Sequence, residues 1–324
     1  MTKKSTDAFP RKLFTVGDRY LLEWIMPEAV DGAPELPFIQ ALREKNQISQ
    51  VGGRSFIPLS SLAEALAAPE AMSPKLFIYH ATRCGSTLLG RMLRSNDENR
   101  VFNEPSAVTR LLMSIKSIDD QTIDLIHLRN MIGAFGLGAP PWQKNLVFKF
   151  ASLCNFYFGD IHGAFPNTPS VFIYRDPVEI MVGLVTEPAM WLYDIHYEKL
   201  AKVLPWSQQE AATLDLEHLS CLYLERQFQW ALDRAEAFDR LVNYTELPEA
   251  AFEIADSFLE SNIREQCSEV LPWNAKKPDK PFVPDSSKKQ GLASALVREL
   301  AETRLYPLYR ELETIRVKKL TSFK

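Results

Sequence analysis

The chain of 324 residues has only four cysteines and five histidines, and its net charge of −4 leaves it short of positive charge. Cys84, Cys154, Cys221 and Cys267 show neither a C-x-x-C spacing nor the density of a disulfide-stapled secreted domain, so reduced thiols are expected. His80, His127, His162, His196 and His218 stand at no metal-ligand spacing with Cys, Asp or Glu, and no metal is expected. Without a positive surplus no global field draws the protein onto nucleic acid or anionic lipid, so any anion site has to be local. No run comes near the roughly 18 apolar residues of a membrane span, and the basic start at 1–12 leads into no apolar segment. A cytoplasmic location with no membrane span is therefore the expectation. No internal repeat or low-complexity tract is evident.

What is present is a core-forming composition, 46% hydrophobic, and one stretch that carries chemistry. In Lys75-Leu76-Phe77-Ile78-Tyr79-His80-Ala81-Thr82-Arg83-Cys84-Gly85-Ser86-Thr87-Leu88-Leu89 an apolar run meets a short Arg/Gly/Ser/Thr turn and then a helical pattern. A strand, a tight turn and a helix start form, in that order, a place to hold an anion. First-turn N–H groups lack helical partners there, and the helix dipole adds partial positive charge. Arg83 contributes a full charge, Gly85 lets a ligand approach the backbone, and Ser86 and Thr87 offer hydroxyls. The bland alternative is an ordinary strand-to-helix turn with a Ser/Thr cap.

Spacing removes two owners of such a turn. A nucleotide-hydrolysing loop of the G-x-x-x-x-G-K-[ST] type needs a Lys after its second Gly, whereas Ser86 follows Gly85 and His80 stands five residues before it. A Cys-x5-Arg phosphatase loop fails as well, since the next arginine after Cys84 is Arg91, one residue too far. Downstream, Ser170-Val171-Phe172-Ile173-Tyr174-Arg175-Asp176-Pro177-Val178-Glu179 repeats the strand-then-turn logic with an arginine at the strand's carboxyl end. Asp176 and Pro177 also suit a helix opening, as cap and first-turn residue, which would fix the direction of Arg175. A third apolar strand, Leu146-Val147-Phe148, ends in Lys149, and Val101-Phe102-Asn103 leads into Glu104-Pro105.

Taken in this order, the motifs resemble those of sulfotransferases that use 3′-phosphoadenosine 5′-phosphosulfate (PAPS), over about residues 74–247. The resemblance implies a three-layer α/β/α fold with a mostly parallel central sheet, of the P-loop NTPase-like sulfotransferase type. It implies that Arg83, Cys84, Gly85, Ser86 and Thr87 bind the 5′-phosphosulfate and that Arg175 binds the 3′-phosphate. Lys288, in a late basic Gly-containing segment, is a further 3′-phosphate candidate, set against a solvated surface charge. The implied reaction is in-line transfer of a sulfuryl group from PAPS to a hydroxyl or amine, with no metal. Glu104 would act as general base, raised toward neutrality by burial, while Arg83 and Lys149 would stabilise the leaving phosphate. For Lys149 the alternative is an ammonium that snorkels to solvent.

The chain departs from the family in two places. Gly183 stands where a 3′-phosphate-binding Ser is usual, with Thr186 nearly one turn on, and Ala151 stands where cytosolic members carry a catalytic His. These departures leave a catalytically silent nucleotide-binding protein, or a divergent P-loop kinase, as competing readings. The acceptor is open among a small molecule, glycan, lipid or peptide, with no nucleic acid expected as partner; Trp191, Tyr193 and Trp206 are candidates to line its cleft or to be core. Oligomeric state cannot be read from the sequence.

Alternation of strands and helices from Leu76 to Val242 predicts a parallel sheet in residues 74–324, preceded by a small extension or lid in residues 1–73. In that first part a strand is expected at 20–25, a helix at 38–45 and a helical patch at 59–68. Further helices are expected at 87–94, 107–117, 177–185, 218–239, 248–261 and 292–313, with an extended surface loop at 272–291.

Overall fold

The computed structural model describes residues 9–17, 19–25, 44–51, 54–67, 71–114, 124–188, 209–210, 213–277 and 279–322. Among the described residues nine strands run in chain order: β1 (Phe9–Val16), β2 (Arg19–Ile25), β3 (Ser49–Val51), β4 (Arg54–Pro58), β5 (Pro74–His80), β6 (Asn99–Asn103), β7 (Asn145–Lys149), β8 (Ser170–Tyr174) and β9 (Arg240–Asn243). The last five form one all-parallel sheet in the order β6-β7-β5-β8-β9, flanked by helices. This is the α/β architecture expected. Parallel strands covered on both faces read as continuous apolar runs, and β7 and β8 are buried at every position. Their side chains meet β5 in an aromatic core that includes Phe77, Tyr79, Phe148, Phe150, Phe172, Trp230 and Phe238.

Strand order places the chemistry. From β5 the chain crosses to β6 and β7 on one side, then returns to β8 and β9 on the other. Where the direction of winding changes, the strand ends leave a crevice in which ligands of open α/β sheets bind. That crevice lies at the carboxyl ends of β5 and β8, the two strands that carry the Arg83 turn and Arg175.

Before this sheet lies a second, antiparallel one in the order β1-β2-β4-β3. The sequence announced only the strand at 20–25, because the other three are short or lined by charged residues on their outer face. Leu13, Leu22, Trp24 and Ile57 nevertheless join the same core as the parallel sheet. Ser106 Oγ, at the start of the Ser106–Met113 helix, donates to Arg11 O at 3.0 Å and ties β1 to it. The expected patch at 59–68 is a 3-10 turn, Leu59–Leu62, followed by Ala63–Leu66. Apart from Glu44 and Lys45, the helix expected at 38–45 lies outside the described residues.

Toward the carboxyl terminus the structure departs further from expectation. Within 272–291, Phe282 N–H donates to Pro272 O at 2.7 Å and Trp273 bridges Pro281, so this part folds back on itself. A helix, Ser286–Leu292, follows where extended chain was expected; Gln290 Nε2 anchors it by donating to Asp176 Oδ1 at 2.9 Å. Tertiary hydrogen bonds thus override a composition rich in Ser and Lys. The single helix expected at 292–313 is a capped helix, Ala295–Leu300, a π-turn at Ala301–Leu305, and a longer helix, Tyr306–Ser322. The helix expected at 218–239 runs Leu216–Leu232, with Asp215 capping it.

Candidate functional site

All five parallel strands end on one edge, so the residues that follow them share it. Glu104 follows β6, Lys149 closes β7, the Arg83 turn follows β5, Arg175 follows β8 and Tyr244 follows β9. Between β5 and the helix Ser86–Leu93 the chain takes a left-handed conformation at Arg83, with φ of 56°, and again at Gly85, with φ of 91°. No side chain caps this helix, so the ordinary Ser/Thr cap is absent and the first-turn N–H groups have no capping side chain. Gly85 is required twice over: by its positive φ, and because a Cβ there would come within 2.4 Å of the Tyr244 ring. Cys84 points away from the edge. Its buried thiol donates to Ile173 O at 3.2 Å, and burial pushes it up to about 11, so it is a packing residue in the turn and no nucleophile.

Arg83 reaches across to Glu187, just past the Pro177–Thr186 helix, donating from Nη1 to Oε2 at 3.3 Å and from Nη2 to the backbone carbonyl. Gly183 lies beside Arg83: a Cβ built on it would stand 3.4 Å from Arg83 Cβ and 3.8 Å from Lys289 Nζ. The position of the missing serine therefore takes a Cβ at ordinary contact distance, beside the Arg83 stem and the Lys289 ammonium. Lys289 is the member of the late basic pair that meets the site, while Lys288 is exposed. Lys276 belongs to the same neighbourhood. Burial lowers its ammonium from the ordinary value, and the Arg83 and Lys289 charges add to that.

Lys149 is 1% exposed, which removes the snorkelling alternative. Its ammonium pairs with Glu104 Oε1, and Asn103, next to Glu104, lies opposite Lys149 in the sheet register. Glu104 has a positive φ of 49° and donates its N–H to Lys149 O at 2.6 Å, so strand pairing and a backbone turn both aim the carboxylate at the ammonium. His80 Nε2 lies 2.9 Å from Phe150 O and 3.5 Å from the same Oε1. Burial lowers the His80 imidazole from its ordinary value, as does the Lys149 charge. For Glu104, burial raises the carboxyl, yet the His80 hydrogen bond and the Lys149 charge outweigh it and hold the group well below the usual carboxylate range. The expected rise toward neutrality is thus corrected: in this state Glu104 is half of an ion pair with a buried lysine.

Arg175 is 4% exposed, and its Nε and Nη2 are engaged. Its guanidinium pairs with Glu179 Oε2, donates to Asp285 Oδ1 at 2.7 Å and to Ser286 Oγ at 3.0 Å, and lies 4.1 Å over the Tyr244 ring. Asp176 Oδ1 caps the helix by accepting from Glu179 N at 3.1 Å, with Pro177 in the first turn. The helix-opening reading of that motif holds, with Asp176 as cap and Arg175 just before it. Tyr244 touches both halves of the site, against Gly85 on one side and Arg175 on the other.

The structure thus brings Arg83, Gly85, Ser86, Thr87, Glu104, Lys149 and Arg175 to one edge, with Cys84 turned inward and Lys288 outward. Sequence reasoning missed Glu187 and Asp285 as partners of the site, favoured Lys288 over its neighbour Lys289 in the late basic pair, and gave Tyr244 no place in the site. Asp285 and Lys289 had one signal, the i,i+4 spacing that pairs them at 3.0 Å on a helix. Trp191, Tyr193 and Trp206 lie outside the described residues. Among the described residues no cluster of His, Cys, Asp and Glu could hold a metal ion, and no helix is long and apolar enough to cross a membrane.

No protein-family model matches the chain, and no curated protein matches it. Among solved structures it is similar to a sulfotransferase from Mycobacterium avium, with TM-score 0.43 and 12% identity over 76% of this chain and 80% of that one. It is also similar to a sulfotransferase from Alicyclobacillus acidocaldarius, with TM-score 0.41 and 17% identity over 75% of this chain and 96% of that one. A third is the sulfotransferase domain of the curacin biosynthetic pathway, with TM-score 0.43 and 15% identity over 76% of this chain and 98% of that one. The fold class stands on the five parallel strands themselves: an α/β protein with the Arg83 turn at the carboxyl edge of its sheet.

Proposed function

We propose that the chain is a sulfotransferase that takes PAPS as donor and a hydroxyl or amine as acceptor. The observation that carries this reading is the convergence of two arginine-bearing turns, Arg83 after β5 and Arg175 after β8, on one crevice bridged by Tyr244. Their motifs are those of the 5′ and 3′ phosphate sites in the family the sequence resembles. The residues present fit such a donor: a helix start without a side-chain cap, a glycine that holds the backbone open, and Arg83, Lys149, Arg175, Lys276 and Lys289 along the edge.

PAPS would supply an activated sulfuryl group, and the protein's residues do the rest. Arg83 and the Ser86 and Thr87 amides hold the phosphate oxygen on which negative charge builds as the S–O bond breaks. Glu104 takes the acceptor's proton as its oxygen or nitrogen bonds to sulfur, so the acceptor gains the sulfuryl group and adenosine 3′,5′-bisphosphate leaves. Lys149 links the two events. When a ligand anion engages its ammonium, the hold on Glu104 weakens and the carboxylate rises toward the working range of a base. Edge and crevice supply the positioning that makes in-line transfer efficient.

A displacement assay comparing PAPS with ATP, followed by a labelled-sulfate transfer screen against cell extract, tests the reading. Binding of PAPS over ATP together with transfer supports it. Preference for Mg-ATP would replace it with a kinase, and binding without transfer to any acceptor would replace it with a silent nucleotide-binding protein.

A further inference from the structure

Resting on the donor reading above, we infer that Asp285 is a specificity-determining residue for the donor's ribose end: its carboxylate occupies the anion seat on Arg175, and a 3′-phosphate has to displace it. Two independent observations carry this. An Asp at a helix N-cap ordinarily accepts a first-turn N–H, a bond of about 1 kcal/mol. Asp285 is the N-cap of Ser286–Leu292 and makes no such bond. Its oxygens turn instead to cations of the site, Oδ1 to Arg175 Nη2 at 2.7 Å and Oδ2 to Lys289 Nζ at 3.0 Å.

The second observation is the contrast between the two carboxylates on Arg175. Glu179 is the inner one, 11% exposed on its side chain, with its own N–H fixed by Asp176. Asp285 is the outer one, 41% exposed, so it can leave into water without being stranded. Arg175 cannot follow, because Glu179 and the Tyr244 ring hold it from the other sides. With both carboxylates in place, Glu179 and Asp285 balance the charges of Arg175 and Lys289, and a phosphate added on top would find no net positive charge to hold it. The phosphate therefore enters by exchange, and Lys289, released by Asp285 and standing beside Gly183, becomes free to meet it. A donor without the 3′-phosphate leaves Asp285 where it is.

Calorimetric titration of wild type, Asp285→Asn and Asp285→Ala with adenosine 3′,5′-bisphosphate and with adenosine 5′-monophosphate tests the inference. Both variants should bind the bisphosphate roughly tenfold or more tightly than wild type, while monophosphate affinity stays within about twofold. Unchanged or weaker bisphosphate binding, or equal changes for the two nucleotides, overturns it. Amide exchange across Ser286–Leu292, with inorganic pyrophosphate as probe, separates this inference from the donor reading. In wild type the probe should speed exchange several-fold, and in Asp285→Asn exchange should already be fast without it. If no protein binds either nucleotide, the donor reading falls, and pyrophosphate-insensitive exchange in wild type would overturn the exchange at Arg175 as well.

Discussion

Two buried cations stand at the carboxyl edge of the sheet, and they are held in different ways. Lys149 has one carboxylate partner, Glu104, whose side chain is 48% exposed. Arg175 has two carboxylates, a serine hydroxyl and an aromatic face. An ammonium on a flexible stem is a point charge that can redirect, whereas a guanidinium held at several of its donors and over its face is fixed in plane. On the proposed function the difference would separate the roles. The Lys149 end would change its pairing while a proton moves, and the Arg175 end would recognise the donor's 3′-phosphate.

The sharpest way to break this comparison is to delete the partners one at a time. Glu104→Ala leaves a buried ammonium with no counter-charge and should lower stability by about 3 kcal/mol, the cost of stranding a buried ion. Lys149→Met leaves a half-exposed carboxylate that water can solvate, and should cost about 1 kcal/mol or less. Equal losses in denaturant titrations would show that the pair is not asymmetric. Because Glu104 sits below its ordinary value, its contribution is present above about pH 4 and is lost as pH falls through the folded value. Acid titrations of Glu104→Gln should accordingly show a shallower loss of stability on the acid side than wild type.

Next in size is catalysis. Glu104→Gln keeps a carbonyl near Lys149 but cannot take a proton, so turnover should fall by roughly 10²-fold or more with nucleotide affinity spared. Unchanged turnover would remove Glu104 from the chemistry. At the other end, Arg175→Ala should weaken adenosine 3′,5′-bisphosphate by roughly 10- to 100-fold, the scale of a charged hydrogen-bond set, and weaken the 5′-monophosphate far less. Equal losses by calorimetry would defeat its assignment to the 3′-phosphate. The smallest effect is expected of Gly183→Ser. The added Cβ meets only ordinary contacts, and a hydroxyl beside Arg83 and Lys289 should tighten bisphosphate binding by roughly 2- to 10-fold, one hydrogen bond's worth. A loss would mean that the backbone at this turn of the helix has no room for the side chain.

Much of the edge was legible because each piece is local. Apolar runs ending in Lys149, Arg175 and the Arg83 turn are visible in a few consecutive residues, and one parallel sheet aligns all their ends. The Asp176 cap and Pro177 were equally readable, since capping is decided within one turn. Glu104's protonation was misjudged because burial was weighed without Lys149, which is 45 positions away in the chain. The helix Ser286–Leu292 was misjudged because its composition favours loop, while its anchors, Asp176 and Arg175, lie more than a hundred positions earlier.

By itself the sequence determined the strand-turn-helix around Arg83, the second arginine turn and the βαβ order that made a parallel sheet the outcome, because hydrophobic period, glycine and capping chemistry act over neighbouring residues. Only the tertiary structure decided how the cations are balanced: Lys149 against Glu104, Arg83 against Glu187, and Arg175 and Lys289 against Asp285. Charge pairing acts through space, and the distances that set its strength exist only once the strands are side by side.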